Sequence, residues 1–316
     1  MTHKILVTGG FGYVGGRVAV ELALQLDANI VLGTRNMRAS PEWLSDASVV
    51  ITEWDDDVSL VDACRNVDTI LHFAAMNEID AAADPAAALQ MNGVATARLV
   101  EAAKTSGVSK FVYLSTAHVY GSPLVGVINE TMCPRPIHPY ATSHRAAEDV
   151  VLAENVMGKL TGIVIRLSNS FGAPAHADVN RWSLLVNDLC RQVVSTKQLK
   201  LHSPGLQRRD FVTLADVSNA IVHLLGLQKD TLGNGIFNIG GAWSPTIYEM
   251  TQLIASRCEK VLGFVPTIIR PSPVGDEVAQ ELDYQINKLT QTGFSLSNNY
   301  NYEIDNTLLL CKQAFT

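Results

Sequence analysis

The sequence predicts an α/β protein with a doubly wound parallel sheet and a smaller α/β lobe. Short apolar runs alternate with segments of helical spacing up to about residue 170, and a glycine-rich turn follows the first run directly. Each run has the length of a buried parallel strand. The alternation implies right-handed βαβ units in one sheet. The predicted strands are Ile5–Thr8, Asn29–Gly33, Val49–Ile51, Thr69–Phe73, Phe111–Ser115 and Gly162–Leu167.

The segments between these strands predict helices. Asp84-Pro85 predicts a helix start, because a capping residue followed by proline is typical of a helix N-terminus. The acidic run 55–57 also predicts a helix start, where the helix dipole favours negative charge, and a metal cluster is the alternative. The first helix is marked by apolar residues at helical spacing, namely Val14, Val18, Leu22 and Leu26.

The pattern changes after about residue 170. Loops rich in proline and glycine separate predicted helices near 180–194, 213–226, 246–259 and 303–314. One further strand is predicted at Ile236–Ile239. This organisation predicts a smaller lobe built from more than one segment of the chain.

Composition limits the possible classes of protein. Of 316 residues, 47% are hydrophobic and 17% charged, which indicates a globular chain. A net charge of −7 argues against nucleic acid and against an anionic membrane surface as partners. The five cysteines are scattered without a CxxC pair, so we expect free thiols and no metal site. No apolar stretch predicts a membrane span or a signal peptide, so a cytoplasmic protein is expected.

Three glycines predict a dinucleotide site at the first strand–helix junction. Gly9, Gly12 and Gly15 follow the first strand and open the first helix, within the run Thr8-Gly-Gly-Phe-Gly-Tyr-Val-Gly15. Glycine there permits the tight turn, lets the backbone approach a pyrophosphate and packs helix against strand. The helix N-terminus then faces the phosphates. We therefore assign residues 1–168 and about 209–238 to a dinucleotide-binding (Rossmann) domain, and 169–208 and 239–316 to a substrate-binding lobe.

The end of the second strand favours NADP over NAD. NAD sites commonly carry an acidic residue there to bind the ribose 2′-hydroxyl. Here the position is Gly33, and Arg35 follows. A guanidinium can pair with a 2′-phosphate, which no carboxylate then repels. NAD remains possible, since Arg35 and Arg38 could simply form a solvated basic loop.

Several short motifs in order resemble the extended short-chain dehydrogenase/reductases, within their nucleotide-sugar epimerase/dehydratase/reductase group. The resemblance covers nearly the whole chain. It rests on the glycine turn and on the segments Ser115–Gly121, Tyr140-Ala-Thr-Ser-His144, His72-Phe-Ala-Ala75, Asn92, Arg166–Gly172, Arg209–Val212 and Asp216-Val217.

The resemblance implies roles for individual residues. Tyr140 would be the proton donor or acceptor, Thr116 would hydrogen-bond the reacting oxygen, and position 144 would hold the nicotinamide ribose. The substrate would contact Asn169 and Arg209, with Arg209 on the pyrophosphate. His118 is expected to pack near the site or orient the substrate, and an acid/base role is the alternative. Besides the glycines and Arg35, the cofactor would contact Tyr13, Val14, Asp55, Phe73, Ala74, Ala75, Asn92 and Ser115. The family's second substrate-binding arginine would stand close before Gly275, but Val274 stands near that place, and Arg270 is the nearest candidate.

The chain departs from the family pattern at His144, where a lysine is usual. A fixed positive charge would favour the phenolate of Tyr140, whereas a histidine is nearly neutral at pH 7. Oxidising an alcohol needs the phenolate as a base, and reducing a ketone needs the phenol as an acid. His144 therefore favours ketone reduction.

The leading hypothesis is a reductase that uses NADPH to reduce the keto group of a nucleotide-diphosphate-linked deoxysugar, with Tyr140 as proton donor. The alternatives are a 4-epimerase with a retained cofactor, and a cofactor-binding sensor or scaffold with weak turnover. Ala117 stands where family 4,6-dehydratases carry the first residue of an acid pair, which argues against a dehydratase. A homodimer through the helices of 84–106 and after Tyr140 is expected by resemblance.

Overall fold

The computed structural model describes residues 3–274 and 278–315. A seven-stranded parallel sheet forms its centre, and three pairs of short strands lie outside it. The strands are β1 His3–Thr8, β2 Ala28–Thr34, β3 Ser48–Ile51, β4 Thr69–His72, β5 Lys110–Thr116, β6 Gly126–Ile128, β7 Thr161–Leu167, β8 Asn169–Phe171, β9 Gln198–Lys200, β10 Phe211–Thr213, β11 Ile236–Ile239, β12 Thr267–Ile269 and β13 Leu282–Tyr284.

Helices connect the strands and cover both faces of the sheet. The α-helices are α1 Tyr13–Gln25, α2 Asp57–Ala63, α3 Glu78–Ala83, α4 Pro85–Ala88, α5 Ala95–Thr105, α6 Pro139–Met157, α7 Leu185–Thr196, α8 Leu214–Gly226, α9 Lys229–Leu232, α10 Ile247–Leu262, α11 Asn287–Thr290 and α12 Tyr300–Phe315. Short 3₁₀ segments span Glu42–Leu44 and Ala117–Tyr120, and a π-helical turn, Leu89–Val94, joins α4 to α5.

The strand order β3-β2-β1-β4-β5-β7-β11 is that of a doubly wound sheet. The chain winds outward from β1 in one direction and from β4 in the other, so the order reverses between these neighbouring strands. Thr8 and His72, the last residues of β1 and β4, pair in register. The loops that follow them diverge and leave a crevice, which is where such sheets bind ligands. The predicted fold class is confirmed.

The sheet is buried on both faces, as apolar strands without polar alternation predict. Ile5 and Val7 of β1 point into one core with α1 and α8, and Leu6 points into the opposite core with α2 and α5. All three side chains are fully buried. Burial of each contributes roughly 1.5–3 kcal/mol to folding.

A separate core lies between α7, α10 and α12 and holds Cys190, Cys258 and Cys311. These three thiols are free and buried. The C-terminal segment does not belong wholly to this lobe, because Leu289 and Phe294 pack into the core of the large sheet. Residues after 239 therefore contribute to both cores.

A buried ion pair joins the two cores. Arg17 of α1 donates to Glu303 of α12 at 2.8 Å and to the carbonyl of Ala173 at 2.9 Å. The Glu303 side chain is fully buried. Across the described part of the chain, no helix is both long enough and apolar enough to cross a membrane.

Candidate active site

A cavity of about 930 Å³ opens at the carboxyl ends of β1, β2, β4 and β5. The lobe built on α7 forms its other wall, through residues such as Leu185 and Val186. With three exceptions, every residue predicted for the site lines this cavity. They are Gly9, Gly12, Tyr13, Val14, Gly15, Arg35, Phe73, Ala74, Ala75, Ser115, Thr116, His118, Tyr140, His144, Asn169 and Arg209.

The glycine turn has the close packing that its sequence predicts. Gly9 adopts φ +70°, and a Cβ there would lie 2.7 Å from the backbone nitrogen of Ala74. A Cβ on Gly15 would collide with the carbonyl oxygen of Gly9. The loop after β4 therefore lies directly on the turn after β1. The Tyr13 phenol, at the start of α1, donates to the carbonyl of Gly172 at 3.0 Å and so ties the turn to the other lobe.

The end of β2 leaves little room for the usual acidic residue. A Cβ on Gly33 would lie 3.2 Å from Cγ2 of Thr52 and 3.3 Å from Cα of Thr8. Arg35 is exposed and makes no hydrogen bond or ion pair with the described residues. Arg38 also lines the cavity, with its guanidinium 4.3 Å from the ring centroid of Phe11. This end of the cavity carries two positive charges and no carboxylate from β2.

Asp55 and Asn92 are the two predicted cofactor contacts that do not line the cavity. Asp55 and Asp57 both pair with Arg98 at 3.2 Å, on the surface. Asp56 caps α2 by accepting from the backbone nitrogen of Val58, which confirms the predicted helix start. The cavity wall nearby is formed by Thr52 and Trp54 instead.

Asn92 lies behind the cavity wall, within the π-helical turn. Its side-chain oxygen accepts from the backbone nitrogen of Met76 at 2.7 Å, and its nitrogen donates to the hydroxyl of Ser143 at 2.9 Å. Asn92 therefore links the loop after β4 to the turn of α6 that carries Tyr140 and His144. π-Turns are frequently found at functional sites.

Tyr140 is held at the start of α6, where His138 caps the helix and Pro139 occupies its first turn. Burial raises the pKa of the Tyr140 phenol to about 12, although the charge of Arg181 and the nearby hydroxyl of Thr116 act to lower it. At neutral pH Tyr140 is therefore a protonated phenol beside a hydroxyl. This arrangement can give a proton to an oxygen placed between the two side chains.

His144 lies one helical turn after Tyr140, with ring centroids 4.4 Å apart. Its Nδ1 is 2.7 Å from the phenol oxygen of Tyr113, and its Nε2 is buried with no hydrogen-bond partner among the described residues. Burial lowers the pKa of His144 to about 3, and the charges of His72 and Arg181 act in the same direction. The imidazole is neutral at pH 7.

Ser115 lines the cavity and also takes part in a buried hydrogen-bond network. Its hydroxyl donates to Glu148 of α6 at 2.5 Å. Glu148 also accepts from Arg166 of β7 at 2.7 Å, and both of these charged side chains are buried. The buried pair fixes α6 against the sheet and supports the turn that carries Tyr140.

The far end of the cavity is polar and contains the predicted substrate contacts. The side-chain nitrogen of Asn169 donates to the carbonyl of Asp210 at 2.9 Å. Asp210 accepts from the backbone nitrogen of Gly241 at 2.9 Å and anchors the loop next to Arg209. Burial and the nearby charge of Arg209 lower the pKa of His118, so this imidazole is also neutral at pH 7.

Three residues near Tyr140 escaped sequence reasoning. Tyr113 lies on the same face of β5 as Ser115. A tyrosine hydroxyl within a buried strand needs a hydrogen-bond partner, and this could have pointed to Tyr113 from the sequence. Arg181 donates to Glu78 at 2.9 Å, and both line the cavity. Neither Glu78 nor Arg181 stands in a recognisable motif, so only the fold brings them together.

Arg270, proposed from sequence as a second substrate arginine, does not line the cavity. It donates to the carbonyl of Pro204 at 2.6 Å and stacks on Tyr248, 3.4 Å from the ring centroid. Gly275, close to which that arginine was expected, lies outside the described residues. Among residues 3–274 and 278–315, no group of histidines, cysteines and acidic residues could hold a metal ion.

The cavity fits a nicotinamide dinucleotide. The glycine turn offers close backbone approach at the N-terminus of α1, as a pyrophosphate requires. The free Nε2 of His144 needs a polar partner, because an unsatisfied buried polar atom costs about 1–3 kcal/mol. A ribose hydroxyl of the nicotinamide half would supply that partner.

Comparison with known proteins agrees with this geometry. GDP-6-deoxy-D-mannose reductase of Pseudomonas aeruginosa is 29% identical over 84% of this chain and 83% of its own length. dTDP-D-glucose 4,6-dehydratase of Mus musculus is 28% identical over 79% of this chain and 71% of its own. The structure of UDP-glucuronic acid 4-epimerase from Bacillus cereus, with UDP-glucuronic acid and NAD, has a TM-score of 0.80 at 23% identity and covers 99% of this chain and all of its own. That structural likeness shows the fold.

The family follows from a match over most of the chain. Residues 5–240, which contain the glycine turn, Thr116, Tyr140 and His144, match the family model. The resemblance drawn from the motifs is thereby confirmed. The chain belongs to the NAD dependent epimerase/dehydratase family.

Proposed function

We propose that this chain is a reductase that uses NADPH to convert the keto group of a nucleotide-linked deoxysugar to an alcohol. The observation that carries the proposal is the pairing of a neutral His144 with a protonated Tyr140. Burial places the pKa of His144 near 3 and that of Tyr140 near 12. In this charge state Tyr140 carries the proton that ketone reduction needs, and the phenolate that alcohol oxidation needs is scarce.

The chain's residues would supply binding and one proton. Thr116 would orient the carbonyl oxygen, and the phenol of Tyr140 would transfer its proton to that oxygen. When bound, the reduced nicotinamide supplies a hydride to the carbonyl carbon, so the ketone gains two electrons and becomes an alcohol. His144 would hold the ribose through Nε2. The Tyr140 proton is then restored from solvent.

Three features support NADPH and a nucleotide-diphosphate sugar. Arg35 and Arg38 offer cations to a 2′-phosphate, and Gly33 offers no carboxylate. Arg209 offers a cation to a substrate diphosphate at the other end of the cavity. A reductase of a GDP-linked deoxysugar is also among the relatives of this chain. NAD as cofactor, the homodimer and the cytoplasmic location stay predictions.

A 4-epimerase with a retained cofactor is the second candidate. Arg181 favours it, because its charge lowers the pKa of Tyr140 and so favours the phenolate that alcohol oxidation needs. The weakly active sensor or scaffold has no specific support, since the residues for proton donation line one cavity.

The two candidates differ in their cofactor requirement. We would incubate the protein with GDP-6-deoxy-D-mannose, UDP-glucose, UDP-glucuronic acid or dTDP-glucose, with and without NADP⁺. A reductase assayed in reverse forms NADPH only with added NADP⁺. Interconversion of UDP-glucose with its 4-epimer, without added cofactor, would contradict the reductase proposal.

A further inference from the structure

Arg181 and Glu78 form an ion pair beside Tyr140 that the proposed reaction does not use. Nη1 of Arg181 lies 2.9 Å from Oε2 of Glu78, and both residues line the same cavity as the phenol. Glu78 opens α3 after β4, whereas Arg181 lies in the loop between β8 and α7. The pair therefore joins the two sides of the cavity across the candidate reaction centre.

The charged and titratable groups near the phenol come from several elements. Arg181 and Glu78 act on Tyr140 with opposite signs, since the arginine lowers the tyrosine pKa and the glutamate raises it. His144 of α6 is neutral. Tyr113 of β5 is buried and has a pKa well above its ordinary value, so it is neutral as well. His118, which follows Thr116 closely and interacts with Glu78, is neutral too, so within the described part of the chain the formal charges that act on the phenol are those of one ion pair.

His144 has a separate task that Tyr113 defines. The buried phenol of Tyr113 can donate one hydrogen bond. Among the described residues, the only acceptor within reach is Nδ1 of His144, at 2.7 Å. A neutral imidazole that accepts at Nδ1 carries its proton on Nε2. Nε2 lacks a protein partner and belongs to a residue that lines the cavity. It is therefore a donor available to a bound ligand.

We propose, on the basis of the reductase function, that two residue pairs act at the reaction centre around Tyr140. Tyr113 positions His144 to donate to a ribose hydroxyl. Glu78 balances the charge of Arg181 and so keeps the phenol of Tyr140 protonated. Arg181, Glu78 and Tyr113 are positioning residues in this account. The balanced pair keeps Tyr140 an acid, which suits ketone reduction. Removal of Glu78 alone would leave the arginine charge uncompensated and move the site toward alcohol oxidation.

The proposed charge balance predicts that substitutions of Glu78 and of Arg181 shift the ionisation midpoint of Tyr140 in opposite directions. We would label tyrosine with ¹³C at Cζ, identify the Tyr140 resonance with Tyr140→Phe, and follow by NMR the onset of its ionisation between about pH 9 and 11.5, from which the midpoint is extrapolated. Glu78→Gln should lower the ionisation midpoint by about half a pH unit or more, and 0.5 M salt should reduce that shift. Arg181→Met should raise the midpoint, and the double variant should return close to the parent.

A purely structural ion pair would behave differently. Each single variant would then loosen the same contact, and the two midpoints would move together or not at all. Either result would overturn the assignment. Asp62→Asn, which removes the partner of Arg65 in an exposed pair at the end of α2, is the matched control and should leave the midpoint unchanged.

A separate measurement tests whether Tyr113 positions His144. In ¹⁵N-histidine spectra of the parent, Nε2 of His144 should be protonated and Nδ1 should be an acceptor. Tyr113→Phe should mix the two tautomers and weaken NADPH binding at least threefold. An unchanged spectrum with unchanged binding would overturn the role of Tyr113. The spectra of the free protein need neither substrate nor turnover, so their failure is distinct from failure of the reductase assignment.

Discussion

The phenol oxygen of Tyr113 lies 2.7 Å from Nδ1 of His144, and both side chains are buried. This contact explains how a histidine can occupy a position where a cation would otherwise act on Tyr140. The imidazole has one nitrogen occupied by the protein and one free for a ligand. It can bind a ribose while it adds no charge, so very little of Tyr140 is present as the phenolate at pH 7.

Restoring a cation at position 144 should change the preferred direction of the reaction. An ammonium within about 4–6 Å of the phenol lowers its pKa by roughly 1–3 units. In His144→Lys, the rise of alcohol oxidation with pH should therefore move at least one unit toward acid, as measured in pH–rate profiles with NADP⁺. His144→Gln is the neutral control, and its profile should match the parent's. A lysine variant with the parent's profile would contradict the charge argument.

The pH dependence of reduction follows from the Tyr140 pKa near 12. The acid form is fully populated below that pH, so the reductive rate should be flat between about pH 6 and 9. The phenolate grows tenfold per pH unit in that range, so the oxidative rate should rise accordingly. Initial rates in both directions across this range test the pair of expectations. A reductive rate that falls with a midpoint near 7 would point to a different acid.

Arg35 should determine the preference for NADPH. Removing a charge-assisted phosphate contact, as in Arg35→Ala, should weaken NADPH binding about tenfold, or about 1.4 kcal/mol, and leave NADH binding nearly unchanged. Titration calorimetry with both dinucleotides gives the ratio of dissociation constants. Arg65→Ala removes an exposed arginine on the segment after α2 and serves as the control. Equal losses for both dinucleotides would argue against 2′-phosphate recognition.

The buried Arg166–Glu148 pair should matter more for stability than any exposed pair. Arg166→Met leaves Glu148 charged within the fold, and breaking a buried pair in this way costs about 3 kcal/mol or more. Arg65→Met, in an exposed pair, should change the free energy of unfolding by less than about 1 kcal/mol. Urea denaturation of both variants makes the comparison. Equal, small losses would show that Arg145 can replace Arg166 as the partner of Glu148.

Buried neutral His144 should also make the fold sensitive to acid. Its folded-state pKa near 3 lies below the unfolded value of about 6.5, so its contribution to stability is complete above pH 6.5 and is lost as pH falls toward 3. The slope approaches about 1.4 kcal/mol per pH unit for one such group. His144→Gln should lose less stability than the parent between pH 7 and 5 in urea titrations. Parallel losses in the two proteins would show that other groups govern this range.

The sequence predicted the sheet well, because buried parallel strands are short apolar runs and glycine turns follow a strict spacing. Each of the six strands predicted before residue 170 is present within two residues of its predicted bounds. The surface position of Asp55 could not be predicted from the sequence, because its ion pair with Arg98 depends on how α2 packs against α5. Arg181 and Glu78 were equally out of reach, since they are 103 residues apart in the chain and meet only across the cavity.

The central claim is that Tyr140 is an acid at physiological pH, and its ionisation can be measured directly. The protein would be labelled with ¹³Cζ-tyrosine and titrated from pH 6 to 10, both free and saturated with NADPH, with Tyr140→Phe to identify the resonance. The account predicts that the Tyr140 signal stays at its phenol position throughout. A titration with a midpoint near 7 would place a phenolate in the working enzyme and contradict the account.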